Sequence, residues 1–181
     1  MPVHPSTKLG RDVRIYAIDL VNIYGAIIGD ETRIGPFVEI QAGAVIGARC
    51  KIQSHSFIPE GVTIEDDVFV GHGVMFTNDF WPRAVDESGI MIGADGWTLS
   101  RTLVRRRAVI GSGVTLLPVE IGTGALIGIG AVVVKDVPAY AIVTGNPGQV
   151  VGDVREKRPA SRGGGTNLTG EASSSNVEVS R

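Results

Sequence analysis

The chain is 181 residues long, 43% hydrophobic and 20% charged, with a formal net charge of −2. Such values suit one soluble globular domain, leave too little chain to argue for two, and speak against nucleic acid or another polyanion as partner. A single cysteine, Cys50, excludes an intramolecular disulfide and any paired-cysteine metal site.

The opening MPVHPSTKLG contains no apolar stretch of the signal-peptide kind. No run of about eighteen apolar residues follows anywhere, so the expectation is a cytoplasmic protein without a membrane span. Val3, Leu9, Ile15 and Val21 are spaced by six, then a step of seven leads to Ile28, so the first repeats are loosely defined. From there Ile28, Ile34, Ile40, Ile46, Ile52, Ile58, Ile64, Val70 and Phe76 recur every six residues without a miss. Four residues after each of the first eight come Thr32, Val38, Ala44, Cys50, Ser56, Val62, Val68 and Val74, all small or β-branched, giving two inward positions per hexad. Six is not a helical period, and glycine punctuates the hexads too often for a helix. Short strands with tight corners remain, and one such strand buries its apolar residue only when others stack on it.

The rhythm stops after VFVGHGVMFTND, residues 68–79. Residues 77–103 form a predicted loop containing Trp81, Pro82, Ile90, Met91, Ile92 and Trp97, too long and too apolar for an idle connection. Hexads resume at Val104, Ile110 and Leu116, slip once to five residues at Ile121, and continue through Ile127 and Val133. From Asp153 the chain turns rich in Gly, Ser and charge, and the composition predicts disorder beyond about residue 158. Its Asn167-Leu168-Thr169 has the pattern of a glycosylation sequon and is read as chance.

The pattern [Ile/Val]-Gly-x-x-[small]-x resembles the left-handed parallel β-helix of the hexapeptide-repeat acyltransferases. That resemblance implies an all-β triangular prism with three hexads per coil, residues 1–152 forming the domain and 153–181 a tail. Laid out at eighteen residues per coil, one face carries Ile28, Ile46 and Ile64, the next Ile34, Ile52 and Val70, and the third Ile40, Ile58 and Phe76. About six coils would then make a prism on the order of 30 Å long.

Stacking at this offset sets His72 over Ser54, Gly73 over His55 and Asn78 over Glu60. Continued past the loop, it sets His72 under Ser112 and Ile129, and Asn78 under Pro118 and Lys135. His72 and Asn78 each follow an inward residue by two, so both are expected to point outward on a polar ledge where the repeat breaks. Thr-Asn-Asp is also good turn chemistry, so Asn78 alternatively opens the loop as an Asx-turn. Arg105, Arg106 and Arg107 are a solvated charge run or a phosphate contact. Trp81 and Trp97 are packing groups or base-stacking platforms. Outward phenylalanines such as Phe37, Phe57 and Phe69 call for a neighbouring subunit.

Taken together, SHSFIPEGVTIEDDVFVGHGVMFTND with WPRA, IGIGAVVVKDVP and VTGNPGQVVG resembles the nucleotide-linked amino-sugar N-acetyltransferases. The resemblance covers residues 15–152. It implies acetyl-CoA as co-substrate, a dTDP- or UDP-linked 3-amino-deoxyhexose as acceptor, no metal, and a homotrimer with the site between subunits. It also implies Asn78 near the sugar amine with His72 and Asp79 beside it, and His55, Glu39 and Trp97 on the substrate side. CoA is implied along the later coils at Ser112, Ile129, Gly130, Ala131, Lys135 and Pro147. Arg107 and the loop sequence NDFWPRA depart from the family pattern. The chemistry suits these residue types, because a neutral amine attacking a thioester must shed a proton while an oxyanion is stabilised. Either His72 or the departing CoA sulfur accepts that proton. The alternatives are an O-acetyltransferase acting on a sugar hydroxyl and a γ-class carbonic anhydrase-like metalloprotein using His4, His55 and His72. An ice-binding solenoid would need a repeated threonine face, and no such column occurs.

Overall fold

The computed structural model describes residues 2–93 and 96–156. Two- to five-residue strands stack into three sheets whose register is parallel apart from the last pairing. The result is the expected left-handed parallel β-helix. The first face pairs Leu9, Ile28, Ile46, Ile64, Val104 and Ile121 in one column. The second continues Ile15, Ile34, Ile52, Val70, Ile110, Ile127 and Val143. The third holds Ile23, Ile40, Ile58, Phe76, Leu116 and Val133. Each hexad thus puts one large side chain into a shared axial core, with the small residue two positions ahead filling the second inward slot, and from Ile23 onward the large ones are almost fully buried. The second face adds a partial seventh coil at Ala141–Thr144, against which Gln149–Asp153 folds back antiparallel.

The opening coil differs from the regular spacing. Ile23, not Val21, pairs with Ile40, and Val21 takes the small inward slot two residues ahead of it. A 3-10 turn at Ile18–Leu20, entered through left-handed Ala17, absorbs the extra residues. The step from Ile23 to Ile28 is then five, the same slip as from Leu116 to Ile121, and both fall where the third face turns into the first.

Buried hydroxyls tie successive coils together. Thr32 Oγ1 donates to the Gly47 carbonyl at 2.8 Å and accepts from the Cys50 amide at 3.0 Å. Ser56 does the same between Gly71 and Val74. Burial pushes the Cys50 thiol up, which makes it an inert core residue.

The prism is interrupted once, between Met75–Phe76 and Thr102–Val104. Phe76 is among the largest fully buried side chains and closes the coil from which the loop departs. Phe76→Ala is expected to cost about 3–5 kcal/mol through lost burial and a cavity the rigid coils cannot collapse. Chemical denaturation measures it. Among the described residues no helix is long and apolar enough to cross a membrane. The tail predicted to be disordered, with its sequon, lies outside the described residues.

Candidate active site

Each coil turns three corners, and these corners carry the polar chemistry. His72 stands where the second face turns into the third, between Phe69–Val70 and Met75–Phe76. Its Nδ1 lies 2.9 Å from Ser54 Oγ one coil earlier, and its amide donates to Ser112 Oγ at 3.1 Å one coil later. In the tautomer whose Nδ1–H donates to Ser54, the Nε2 lone pair is left free on an exposed ring. Ser54 was legible as the residue eighteen positions back, though nothing in the spacing alone marked its hydroxyl as the tether.

The second residue of this corner is left-handed in successive coils: Phe37, His55, Gly73, Gly113 and Gly130. Their amides climb as a ladder, Gly73 donating to Ser54, Gly113 to His72 and Gly130 to Ser112, at 2.8–2.9 Å. Below His72 the left-handed positions bear side chains, and Phe37 stacks on His55 with ring centroids 4.7 Å apart. Phe37 therefore sits on the corner and not on a flat face. From His72 upward they are glycines, and a Cβ at Gly73 or Gly130 would meet nothing within 4 Å. The outcome is an open backbone strip running from His72 past Ser112 to Ile129, which is 81% exposed. Ile129 has no acceptor to offer the Ser112 amide, unlike Ser112, whose hydroxyl caps the amide of His72.

Asn78 stands on a different corner, where the third face turns into the first and the loop departs. Its Nδ2 donates to the Glu60 carbonyl at 3.2 Å, and its own carbonyl accepts from the Ser100 amide at 2.8 Å, closing the loop's base. Asp79 Oδ1 accepts from the Trp81 amide at 2.8 Å, so the Asx-turn at this point belongs to Asp79. Asn78, Asp79 and Trp97 come together with Gln41, Arg83 and Ile92 around a cavity of about 450 Å³. Glu39 lies on the third face beside this corner and accepts from Gln41 Nε2 at 3.0 Å. Between His72 and Asn78 lies the whole strand of the third face, on the order of 15–20 Å at the usual rise per residue. One chain therefore carries His72 and Asn78 on two separate corners and not on a single ledge.

The residues expected at CoA divide between these corners. Ser112, Ile129 and Gly130 line the open strip, and the turn carrying Pro147 follows it at the top. Lys135 falls on the loop corner, above Asn78 and Pro118. The side chain of Ala131 is buried in the core, and its amide and carbonyl are spent on Gly128 and Thr115.

Arg105, one of the three consecutive arginines, is engaged on the third corner by Glu65 at 3.1 Å and Glu120 at 2.8 Å. His4 bonds Ser6 at the loop corner of the first coil, so within one chain it does not share the corner of His55 and His72 that the carbonic anhydrase reading would need. Among the described residues no group of three metal-ligating side chains gathers anywhere.

Residues 25–60 match the family model "Bacterial transferase hexapeptide (six repeats)", and the same architecture extends from the first coil to Val143. The chain is a hexapeptide-repeat protein. It is 42% identical over 124 residues to serine acetyltransferase of Mycobacterium tuberculosis, an alignment covering 67% of this chain and 48% of that one. To the bifunctional protein GlmU of Thermotoga maritima it is 32% identical over 159 residues, 83% of this chain and 34% of the other. The chain thus spans less than half the length of these curated relatives. Among solved structures, a histidine-to-asparagine mutant of perosamine N-acetyltransferase from Caulobacter crescentus, in complex with CoA and GDP-perosamine, superposes with a TM-score of 0.56 at 22% identity. That superposition covers 83% of this chain and 56% of the other and reports a shared fold.

Proposed function

We propose that this hexapeptide-repeat chain is an acetyl-CoA-dependent N-acetyltransferase acting in the cytoplasm on the amino group of a dTDP- or UDP-linked 3-amino-deoxyhexose. The observation that carries the reading is His72, tethered to Ser54 at 2.9 Å with its other ring nitrogen free, at the foot of a glycine-floored strip. The strip accommodates an extended thiol-bearing arm against bare backbone, and the Ser112 amide is a candidate donor to the thioester oxyanion. In this reading Nε2 of His72 takes the proton lost by the attacking amine. Asn78, with Asp79 and Trp97, holds the amino sugar itself. The perosamine N-acetyltransferase solved with CoA and a nucleotide-linked amino sugar supports the substrate class.

The separation of the two corners leads to a homotrimer, in which the loop corner of one copy meets the histidine corner of the next. The loop favours this arrangement, with Trp81 85%, Met91 74% and Ile90 65% exposed in the single chain. Analytical ultracentrifugation is expected to give a trimer, and a monomer at micromolar concentration would overturn the arrangement.

The 42% identical serine acetyltransferase favours a second reading, O-acetyl transfer to a hydroxyl. A panel of dTDP- and UDP-linked amino sugars, their hydroxy counterparts and L-serine, each with acetyl-CoA and read by thiol release, separates the two. Turnover confined to amines supports N-acetylation, and turnover of hydroxyl acceptors alone sinks it.

A further inference from the structure

On the second face the outward positions of the first three coils are Arg14, Arg33 and Lys51, paired in parallel register one above another. Three like charges about 4.8 Å apart on one sheet face repel each other. On the corner that leads into this face such charges are matched: Arg11 binds Asp30 at 2.7 Å, and Arg49 binds Asp67 at 2.7 Å and Asp66 at 3.5 Å, so hydrogen bonding holds Asp30 and Asp67 below the usual carboxylate range. Among the described residues no ion pair reaches Arg14, Arg33 or Lys51.

The column borders a groove of about 550 Å³ that also includes the carboxylates of Asp12 and Glu31 at one end. Past Arg33 and Lys51 the same face continues into a smaller hollow of about 190 Å³ with Tyr16 and Gln53, and no carboxylate lines it. That end points along the strand toward the histidine corner. Lys51 and Ser54 are three residues apart, about 10 Å at the strand rise, and Ser54 touches His72.

We propose that this groove binds the diphosphate of the nucleotide-linked sugar, with Arg33 and Lys51 on the phosphates, Asp12 and Glu31 accepting from the nucleoside hydroxyls, and the sugar directed toward His72. The inference rests on the acetyltransferase reading and adds the subsite to it. Both co-substrates carry a diphosphate, and position separates them: the cations lie on coils before His72, whereas the bare glycine strip lies on coils after it. The strip suits the acetyl donor's uncharged arm, which leaves the cationic column to the acceptor.

The test is the double variant Arg33→Gln with Lys51→Gln, compared with the charge-retaining Arg33→Lys with Lys51→Arg, both checked by thermal melting. Calorimetry with dTDP, UDP and CoA, each alone, is expected to show nucleoside diphosphate binding weakened at least about tenfold in the first variant, kept in the second, and CoA binding unmoved in both. KM for the nucleotide-linked amino sugar rises in parallel, while the free amino sugar without its nucleotide is used equally by wild type and variant. Three results overturn the subsite: neither nucleotide binding the wild type, equal nucleotide binding by both proteins, or loss falling on CoA instead. If no amino sugar is acetylated but dTDP or UDP binding still depends on the column, the subsite stands and the N-acetyltransferase reading falls. If the amino sugar is acetylated with an unchanged KM in the variant, the N-acetyltransferase reading stands and the subsite falls.

Discussion

His72→Asn is expected to lower kcat about a hundredfold or more while leaving the melting temperature near that of the wild type. The magnitude is that of a lost general base, and the ring is exposed at a corner, so its removal opens no cavity. Asparagine still reaches toward Ser54 and keeps the corner polar, but it carries no titratable lone pair. Imidazole must be neutral to accept a proton, whereas asparagine has no such form, so the wild type and the variant should differ in the pH dependence of kcat. A small loss of kcat with an unchanged pH profile would overturn the assignment and route the proton to the departing CoA thiolate. The same variant discriminates between acceptors, because a hydroxyl needs a base more urgently than an amine does.

Most of the prism was legible because burial repeats with the same period as the chain. Every column from Ile28 to Val133 could be read from the spacing of six, including the slip at Ile121. The spacing misplaces Val21 in the first coil because both inward slots of a hexad accept valine, and only the 3-10 turn decides which slot it fills. Contacts eighteen apart were equally legible: Ser54 with His72, and Glu60 with Asn78. The spacing of six misled in one respect. It preserves a residue's phase within the hexad but advances it by one whole face, so His72 and Asn78 look adjacent in the sequence and stand on successive corners. Net charge hid a second feature, since −2 for the whole chain is compatible with a column of three unmatched cations on one face.

Asn78→Ala is expected to reduce kcat/KM by something like ten- to a thousandfold, the range for losing one positioning hydrogen bond in an assembled site. The residue also holds the base of the loop through the Glu60 carbonyl, so a loss of activity alone does not separate positioning of the substrate from support of the loop. Co-assembly does. In a cyclic trimer whose sites combine one copy's histidine corner with its neighbour's loop corner, mixing His72→Asn and Asn78→Ala subunits equally rebuilds about one quarter of the sites with both residues intact. Two nearly inactive proteins, dissociated and reassembled together, should therefore recover about a quarter of the wild-type rate. If both residues served one site within the same chain, no mixture could restore it, and the activity would stay at the level of the separate variants. Recovery in the mixture would thus also explain why the hexads break at Asn78: the chain leaves its own prism there to complete the site of the next one.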